Sequence, residues 1–212
     1  HNLINTGSSK KTTAATGSAV VSTDKSRFYG SSIKMAGGND DYLTITAPGS
    51  DFEFGTGDFT IEYWIYYDGT PGQYDYIFEG RTADGQSDSF TISHDYVNNA
   101  NGSWGLYQGT NTKLIEHTNP PTGQWVHIAF SRASGTLRLF YDGALVKSVS
   151  NTTNISDVPG DCKIGTRHST VHSFTGWLQD FRVYKGVAKY TASCFTAPNR
   201  NDFTVNNLNP TT

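Results

Sequence analysis

Short runs in which large apolar residues alternate with other residues recur along most of this chain. In DFTIEYWIYY, for example, Phe59, Ile61, Tyr63 and Ile65 fall at every second position. Since successive side chains of a β-strand point to opposite faces, this period of two predicts strands with one face in a core. Gly, Asp, Asn and Pro bound the runs, as is typical of turns, and no comparable segment shows helical periodicity. The pattern predicts an antiparallel all-β protein.

The segment TLRLFYDGALVKSV contains the clearest turn. Asp142 and Gly143 separate two alternating runs there. Asp-Gly is a strong hairpin signal, because both residues tolerate the positive φ angles of a type I′ turn. We therefore predict a tight hairpin at this position.

The size and charge of the chain limit its class. A length of 212 residues suits one large β-sandwich. Charged residues make up 17% of the chain and the net charge is -3, which gives no basic footprint for DNA or RNA. No apolar run approaches the roughly 20 residues that span a bilayer. We expect a soluble protein with no nucleic-acid partner and no membrane insertion.

The alternating pattern does not fill the whole chain. Residues 1–27 are rich in Ser, Thr, Gly and Ala, and they predict an extended leading segment with one short strand near Ala19 to Ser22. The alternation then runs through residues 28–198, which predicts a single domain. Residues 199–212 are rich in Asn and Pro, as is typical of a tail or linker.

Five segments carry a family resemblance when they are read in order. They are GSSIKMAGGNDDYLTIT, FEFGTGDFTIEYWIYY, GQWVHIAFSRASGTLRLFYDGALV, KIGTR and FTGWLQDFRVYKGVAKYT. In this order they resemble the LamG-like domains of the concanavalin A-like superfamily, over most of residues 28–198. The resemblance implies a jelly-roll sandwich of two antiparallel sheets. The ending YKGVAKYTASCFTAP is similar to that of LamG-like domains in bacteriophage virion and tail proteins.

Catalytic patterns are missing from the sequence. Some jelly rolls of this kind are glucanases, whose retaining mechanism needs two carboxylates about 5–5.5 Å apart. The glutamates are Glu53, Glu62, Glu79 and Glu116, and none has an acidic neighbour two or four positions away on the same strand. Nucleophile elbows and phosphate-binding glycine loops are also missing. We therefore expect no enzyme activity, and Cys162 and Cys194 are either one disulfide or two free thiols.

The closing strand WLQDFRVY carries one carboxylate, Asp180, inside an otherwise largely apolar alternation. A lone carboxylate in such a position needs a partner. The resemblance implies that this residue helps to hold a structural Ca²⁺ together with the turn before an early strand. That turn contributes Asn39, Asp40 and Asp41. The alternative is that Asp180 pairs with Arg182 or caps backbone amides.

A glycan site is predicted from the aromatic and polar residues of the mixed strand faces. Aromatic rings stack on sugars, and Arg and His donate directional hydrogen bonds. The candidates are Trp64, Tyr66, Arg81, His94, Trp104 and Tyr107. As an alternative, Trp64 packs beneath a loop. Trp125 and Trp177 lie in the family-like strands, and we expect both to pack rather than to bind.

The fold by itself does not fix a function, because LamG-like domains include glycan binders, protein binders and spacers. The leading hypothesis is a non-catalytic module of a phage virion, on the tail or capsid, that attaches to the host surface by weak glycan binding. Display in several copies would add avidity. The alternatives are a structural spacer that contacts neighbouring virion proteins and a secreted calcium-dependent adhesion module. Each places the protein on a virion surface or outside the cell.

Overall fold

A computed structural model describes residues 11–46, 49–69, 74–95, 102–109, 112–156 and 160–199. Over these ranges the chain forms fourteen β-strands and one short 3-10 turn at Gly49–Phe52. In chain order the strands are β1 (Thr13–Thr16), β2 (Val20–Ser22), β3 (Ser32–Ala36), β4 (Tyr42–Ile45), β5 (Phe59–Tyr67), β6 (Tyr76–Glu79), β7 (Phe90–Asp95), β8 (Ser103–Gln108), β9 (Thr112–Thr118), β10 (Trp125–Ala133), β11 (Thr136–Tyr141), β12 (Ala144–Ser150), β13 (Cys162–Ile164) and β14 (Thr175–Lys185).

The strands form two seven-stranded antiparallel sheets. Sheet I has the order β1-β4-β13-β6-β7-β8-β9, and sheet II has the order β12-β11-β10-β5-β14-β3-β2. This arrangement confirms the predicted all-β, two-sheet jelly-roll sandwich. In the described part of the chain, no helix is long and apolar enough to cross a membrane.

The core lies between the two sheets. The four residues of β5 that were predicted to face it, Phe59, Ile61, Tyr63 and Ile65, are each at most 1% exposed. From sheet I, Trp104 enters the same core and donates an indole N–H hydrogen bond of 2.8 Å to the Tyr63 hydroxyl. Ring burial and this bond join β5, the central strand of sheet II, to β8 of sheet I.

The Asp-Gly hairpin forms as predicted between β11 and β12. Tyr141 pairs with Ala144 across the turn. Asp142 and Gly143 have φ angles of 47° and 82°, as the type I′ turn requires. The hairpin therefore fixes one end of sheet II, where the outer face carries the candidate site.

Residues 11–27 contribute two strands to the sandwich. Besides the expected strand at Val20–Ser22, which pairs with β3, Thr13–Thr16 pairs with β4 at the edge of sheet I. Cys162 is buried and Cys194 is exposed, and both are free thiols. Burial raises the pKa of the Cys162 thiol to about 12. The predicted tail from residue 200 onward lies outside the described residues.

Candidate functional site

The outer face of sheet II carries a row of aromatic residues at one end of its strands. Trp125 of β10 pairs with Tyr66 of β5, Tyr66 pairs with Trp177 of β14, and Trp177 pairs with Lys34 of β3. Directly paired residues of neighbouring strands share a face. We call these four residues the aromatic row. The ring of Tyr66 lies edge-on to the rings of Trp125 and Trp177, at centroid distances of 5.8 and 5.6 Å.

Loop 23–31 folds over one part of this face. The side chain of Gln179 on β14 holds it, because Oε1 accepts from the backbone N–H of Arg27 at 3.0 Å and Nε2 donates to the carbonyl of Phe28 at 3.1 Å. The loop in turn places the Arg27 guanidinium 4.6 Å from the centre of the Trp64 ring. Trp64 is therefore covered by this loop, as in the alternative interpretation of the sequence.

The C-terminal segment 186–199, which we call the strap, covers the other part of the same face. Its polar anchor is Glu62 of β5, which is 1% exposed. Glu62 accepts hydrogen bonds from the Lys189 ammonium at 2.6 Å and from the Tyr190 hydroxyl at 2.5 Å. His127 Nε2 lies 3.4 Å from the same carboxylate. Burial alone would raise the pKa of Glu62, but these contacts lower it to about 2.

Backbone and ring contacts hold the rest of the strap against the hairpin. The N–H of Leu145 donates to the carbonyl of Ser193, and the N–H of Phe195 donates to the carbonyl of Gly143. The rings of Tyr190 and Phe195 stack, with centroids 3.6 Å apart. A Cβ atom at position 143 would collide with the carbonyl oxygen of Phe195. Gly143 therefore serves both the turn and the close approach of the strap.

An open cleft of about 460 Å³ remains between loop 23–31 and the strap. Its lining residues come from the loop, from β5, from the start of β10, from the hairpin and from the strap. They are Arg27, Trp64, Gln124, Trp125, Asp142 and Ala197. The volume lies within the usual range of small-ligand sites, about 300–1,000 Å³.

The chemistry of the cleft suits a polar ligand with flat apolar faces. Trp125 is half-buried and can offer a ring surface, while Gln124 and Arg27 are exposed donors. Asp142 is an exposed acceptor, and its Oδ1 is positioned by the backbone N–H of His127 at 2.8 Å. Donors and acceptors around an aromatic platform match a sugar ring, which carries hydroxyl groups at its edge and C–H groups on its faces.

The structure distributes the six residues predicted for glycan binding over three locations. Trp64 and Tyr66 lie on the outer face of sheet II. Arg81 and Tyr107 lie on the outer face of sheet I, where the Arg81 guanidinium is paired with Glu79 at 2.7 Å and the Tyr107 hydroxyl is 3.4 Å from Glu116. His94 and Trp104 lie in the core, and both are 0% exposed. The six residues therefore do not form one site, and Trp64 is the member that lines the cleft.

The alternation of side chains between the two faces of a strand explains why His94 and Trp104 are buried. His94 lies an even number of positions from the buried Phe90 and Ile92 and shares their face of β7. Trp104 shares a face of β8 with the buried Leu106 in the same way. Counting positions along β7 and β8 would have placed both side chains inside. The sequence prediction also missed Trp125 as a cleft residue, although its position at the start of β10, directly after a polar turn, was visible in the sequence.

The predicted cation site joins Asp180 to a turn formed by Asn39, Asp40 and Asp41. The register separates these two parts, because Ala36 beside the turn pairs with Thr175, five residues from Asp180 along β14. At about 3.4 Å per residue the separation is about 17 Å. The predicted grouping of these residues therefore needs correction.

Two of the three carboxylates of the predicted cation site, Asp41 and Asp180, have contacts of their own. Asp41 Oδ2 accepts a hydrogen bond of 3.0 Å from the N–H of Gly38. Asp180 occupies a β-bulge with a φ of 54°, and its Oδ2 lies 3.5 Å from Arg182 Nη2. Burial raises the pKa of Asp180, and Arg182 opposes this effect. Among the described residues, no group of three or more His, Cys, Asp or Glu side chains could hold a metal ion. Calcium binding by this chain stays a prediction.

The glutamates on the outer face of sheet I lie far apart. Glu79 is on β6 and Glu116 is on β9, with β7 and β8 between them. Three strand spacings of about 4.8 Å place their backbones at least about 14 Å apart, whereas glycosidase carboxylates are about 5–9.5 Å apart. Glu79 is paired with Arg81, and Glu116 is paired with Lys113 at 3.0 Å. This arrangement does not match the paired carboxylates of a glycosidase.

Comparison with known proteins gives a family match. A family model described as the concanavalin A-like lectin/glucanases superfamily matches residues 37–190 of this chain. A search of curated protein sequences gave no match.

Solved structures show the same architecture at low sequence identity. Domain 4 of AbnA, an extracellular arabinanase from Geobacillus stearothermophilus solved with arabinotriose, has a TM-score of 0.56 and 16% identity, with 84% of each chain covered. The binding domain of Paraclostridial Mosquitocidal Protein 1 has a TM-score of 0.59 and 16% identity, with 82% of this chain and 44% of that chain covered. The binding domain of botulinum neurotoxin serotype G has a TM-score of 0.57 and 15% identity, with 84% and 44% covered. The chain thus spans less than half of each toxin domain, and these likenesses establish the fold.

Proposed function

Because the chain belongs to the concanavalin A-like lectin/glucanases superfamily, we propose that it is a non-catalytic carbohydrate-binding domain whose site is the cleft on sheet II. The observation that carries this proposal is the cleft itself. It combines the half-buried ring of Trp125 with the exposed polar groups of Arg27, Gln124 and Asp142. A sugar ring can stack on the tryptophan while its hydroxyl groups bond to the polar side chains. The arabinotriose complex of AbnA domain 4 shows that this fold can serve as a glycan module.

The proposed setting is the surface of a bacteriophage virion, where the domain attaches the particle to host glycans. The support is the resemblance of YKGVAKYTASCFTAP to the endings of phage virion and tail proteins. The cleft is open, which suits weak binding by a single site. Display of many copies on one particle would turn weak sites into firm attachment, because each later contact is intramolecular.

A glycan array tests the binding function directly. The domain should be displayed on beads, so that weak sites give a signal, and then measured as a monomer by calorimetry. Trp125→Ala should weaken binding by about 10-fold or more, as expected for the loss of about 1.4 kcal/mol of ring stacking. Tyr42→Ala is the matched control, because Tyr42 is a half-buried ring on β4 of sheet I. Retained binding in Trp125→Ala would refute the cleft as the site.

The same array separates the remaining functions. If the bead-displayed domain binds no glycan of any class, the carbohydrate proposal fails and the structural spacer becomes the better explanation. If chelator abolishes glycan binding and calcium restores it, the domain is a calcium-dependent adhesion module. Binding that survives the chelator supports the metal-free site described above.

A further inference from the structure

Three cationic side chains lie on the aromatic surface around the cleft. Lys25 Nζ is 4.4 Å from the centre of the Tyr66 ring and 5.1 Å from that of Trp177. Lys34 Nζ is 5.3 Å from the centre of Trp177. The guanidinium carbon of Arg27 is 4.6 Å from the centre of Trp64. Cation–π contact of this kind fixes the direction of a charge while leaving its outward side open to a ligand.

Two of these cations are available to an anion. In the part of the chain that the structure describes, neither Lys25 nor Arg27 forms an ion pair, whereas Lys34 is paired with Asp24 at 2.8 Å. The loop that carries Lys25 and Arg27 is held in place by Gln179, and the Ser32 hydroxyl donates to the carbonyl of Lys25 at 2.6 Å. The two charges therefore sit on a positioned loop.

The nearby carboxylates have other contacts. Asp24 binds Lys34, and Asp142, which lines the cleft, accepts a hydrogen bond from the backbone N–H of His127. A net charge of -3 for the whole chain means that this basic surface is a local feature. Local surface potential attracts ligands of the opposite sign independently of the total charge.

The row is also longer than the cleft. Trp125, Tyr66, Trp177 and Lys34 lie on four adjacent strands, which are about 4.8 Å apart. The spacing repeats across the sheet, and a chain of sugar rings is a ligand that repeats on a similar scale. Because Trp177 is only 5% exposed and Lys25 and Lys34 lie over its ring, an extended polymer with one ring in the cleft would continue over these cations.

From these contacts we infer that the site recognises an extended acidic polysaccharide, with the carboxylate or sulfate groups of successive sugars placed against Arg27 and Lys25. This inference rests on the proposed carbohydrate-binding function and names its ligand class. Arg27, over Trp64, supplies the planar donor pair that fits a carboxylate or sulfate, and Lys25, over Tyr66 and Trp177, supplies a point charge. Gln124 and Asp142 are left to bond to sugar hydroxyls.

The test uses two forms of one oligosaccharide, oligogalacturonate and its methyl ester, which differ in charge but share the same rings. Calorimetry should show that the acid binds about 10-fold more tightly than the ester, as one or two charge-assisted hydrogen bonds would give. Raising the salt concentration should remove this difference, since exposed charges are screened. A sulfated oligosaccharide and its desulfated form make the second arm of the test. Whether the domain binds the oligogalacturonate or the sulfated oligosaccharide more tightly identifies the anionic group.

Matched charge-removing variants assign the preference to this surface. Arg27→Gln and Lys25→Gln should each weaken binding of the acid by about 3- to 10-fold more than binding of the ester, so that the preference for the acid falls by that factor. Lys147→Gln, which removes an exposed lysine of β12, should bind the acid like the wild type. A circular dichroism melt of each variant checks that the fold is intact.

Three other results would contradict either the inferred ligand class or the proposed function. Equal affinity for the charged and uncharged forms in both arms overturns the inference but leaves the carbohydrate-binding function in place. Equal competition by single-stranded DNA of matched charge also overturns it, because charge alone would then explain the preference. Failure of every oligosaccharide to bind removes the proposed function itself, and the inference with it.

Discussion

Two buried glutamates, one on the outer face of each sheet, have very different partners. Glu79 on sheet I is 0% exposed and pairs with Arg81, only two residues further along the chain. Glu62 on sheet II is 1% exposed and is held by Lys189 and Tyr190, which lie 127 and 128 residues away. Both pairs solve the problem of burying a charge. The Glu62 contacts also fix the strap, so that this carboxylate shapes the cleft while Glu79 stabilises only its own surroundings.

The local pair should give the largest loss of stability. Arg81→Met leaves the Glu79 carboxylate buried beside an apolar side chain, and removal of one partner of a buried ion pair costs about 3–5 kcal/mol. Urea unfolding at pH 7 measures the change. The double variant Glu79→Leu with Arg81→Met should recover most of the loss, because it removes both charges. A loss below about 1 kcal/mol for the single variant would show that the pair is dispensable.

The long-range pair should show itself in the pH dependence of stability. The pKa of Glu62 is about 2 in the folded protein against an ordinary value of 4.5. A depressed carboxyl pKa adds stability above the unfolded value and loses it as the pH falls, here between about pH 4.5 and pH 2. The expected contribution is about 3 kcal/mol. Thermal melts across this range should show the loss in the wild type and a flatter profile in Glu62→Gln.

The two glutamates should also differ in their effect on the ligand. Glu62→Gln weakens the anchor of the strap, and the strap contributes Ala197 to the cleft. We expect faster tryptic cleavage after Lys189 and weaker glycan binding at a temperature where the variant is still folded. The double variant at Glu79 and Arg81 should bind glycan like the wild type. Equal glycan binding by Glu62→Gln and by the double variant would contradict the proposal that the strap shapes the cleft.

A change at the hairpin should release the strap without touching any charge. In Gly143→Ala the new Cβ meets the carbonyl oxygen of Phe195, and the φ of 82° disfavours alanine. We expect a loss of about 2 kcal/mol in urea unfolding. Gly85→Ala is the matched control, since Gly85 has a φ of 85° and open space around it. If both variants lose the same stability, the contact with Phe195 contributes nothing.

The smallest effect is expected at Asp180, and with the opposite sign. Because burial raises its pKa, the ionised carboxylate opposes folding above its ordinary pKa. Asp180→Asn should change stability by less than about 1 kcal/mol at pH 7, towards higher stability, and Asn tolerates the positive φ. Melting temperatures of both proteins with calcium and with chelator test the predicted cation. A calcium-dependent rise that disappears in Asp180→Asn would identify a cation as the partner.

Much of the fold can be predicted from the sequence, because strand alternation and turns depend on residues that are neighbours in the chain. Alternation along β5 placed Phe59, Ile61, Tyr63 and Ile65 in the core because successive side chains of a strand must point to opposite faces. The Asp-Gly turn formed where it was predicted because few other residue pairs accept its φ angles. The same counting applied to β7 and β8 would have kept His94 and Trp104 out of the predicted site.

The site depended on contacts between distant parts of the chain. Alternation gave the outer face of β5 as Glu62, Trp64 and Tyr66, but it could not show which of them would be covered. Loop 23–31 covers Trp64 and the strap covers Glu62, whereas Tyr66 stays half-buried. The separation of Asp180 from the turn at residues 39–41 likewise depends on the register of β3 with β14.

The sequence by itself therefore determined most of the strands, the inward face of β5 and the hairpin, since each depends on residues that are close in the chain. The order of five such segments carried the family resemblance. Only the tertiary structure decided where the outer face of sheet II remains open. The cleft beside Trp125 exists because two segments more than 150 residues apart fold over the same sheet and stop short of each other. Pairing across such distances is set by the packing of the whole sandwich, and the periodicity of a single strand carries no information about it.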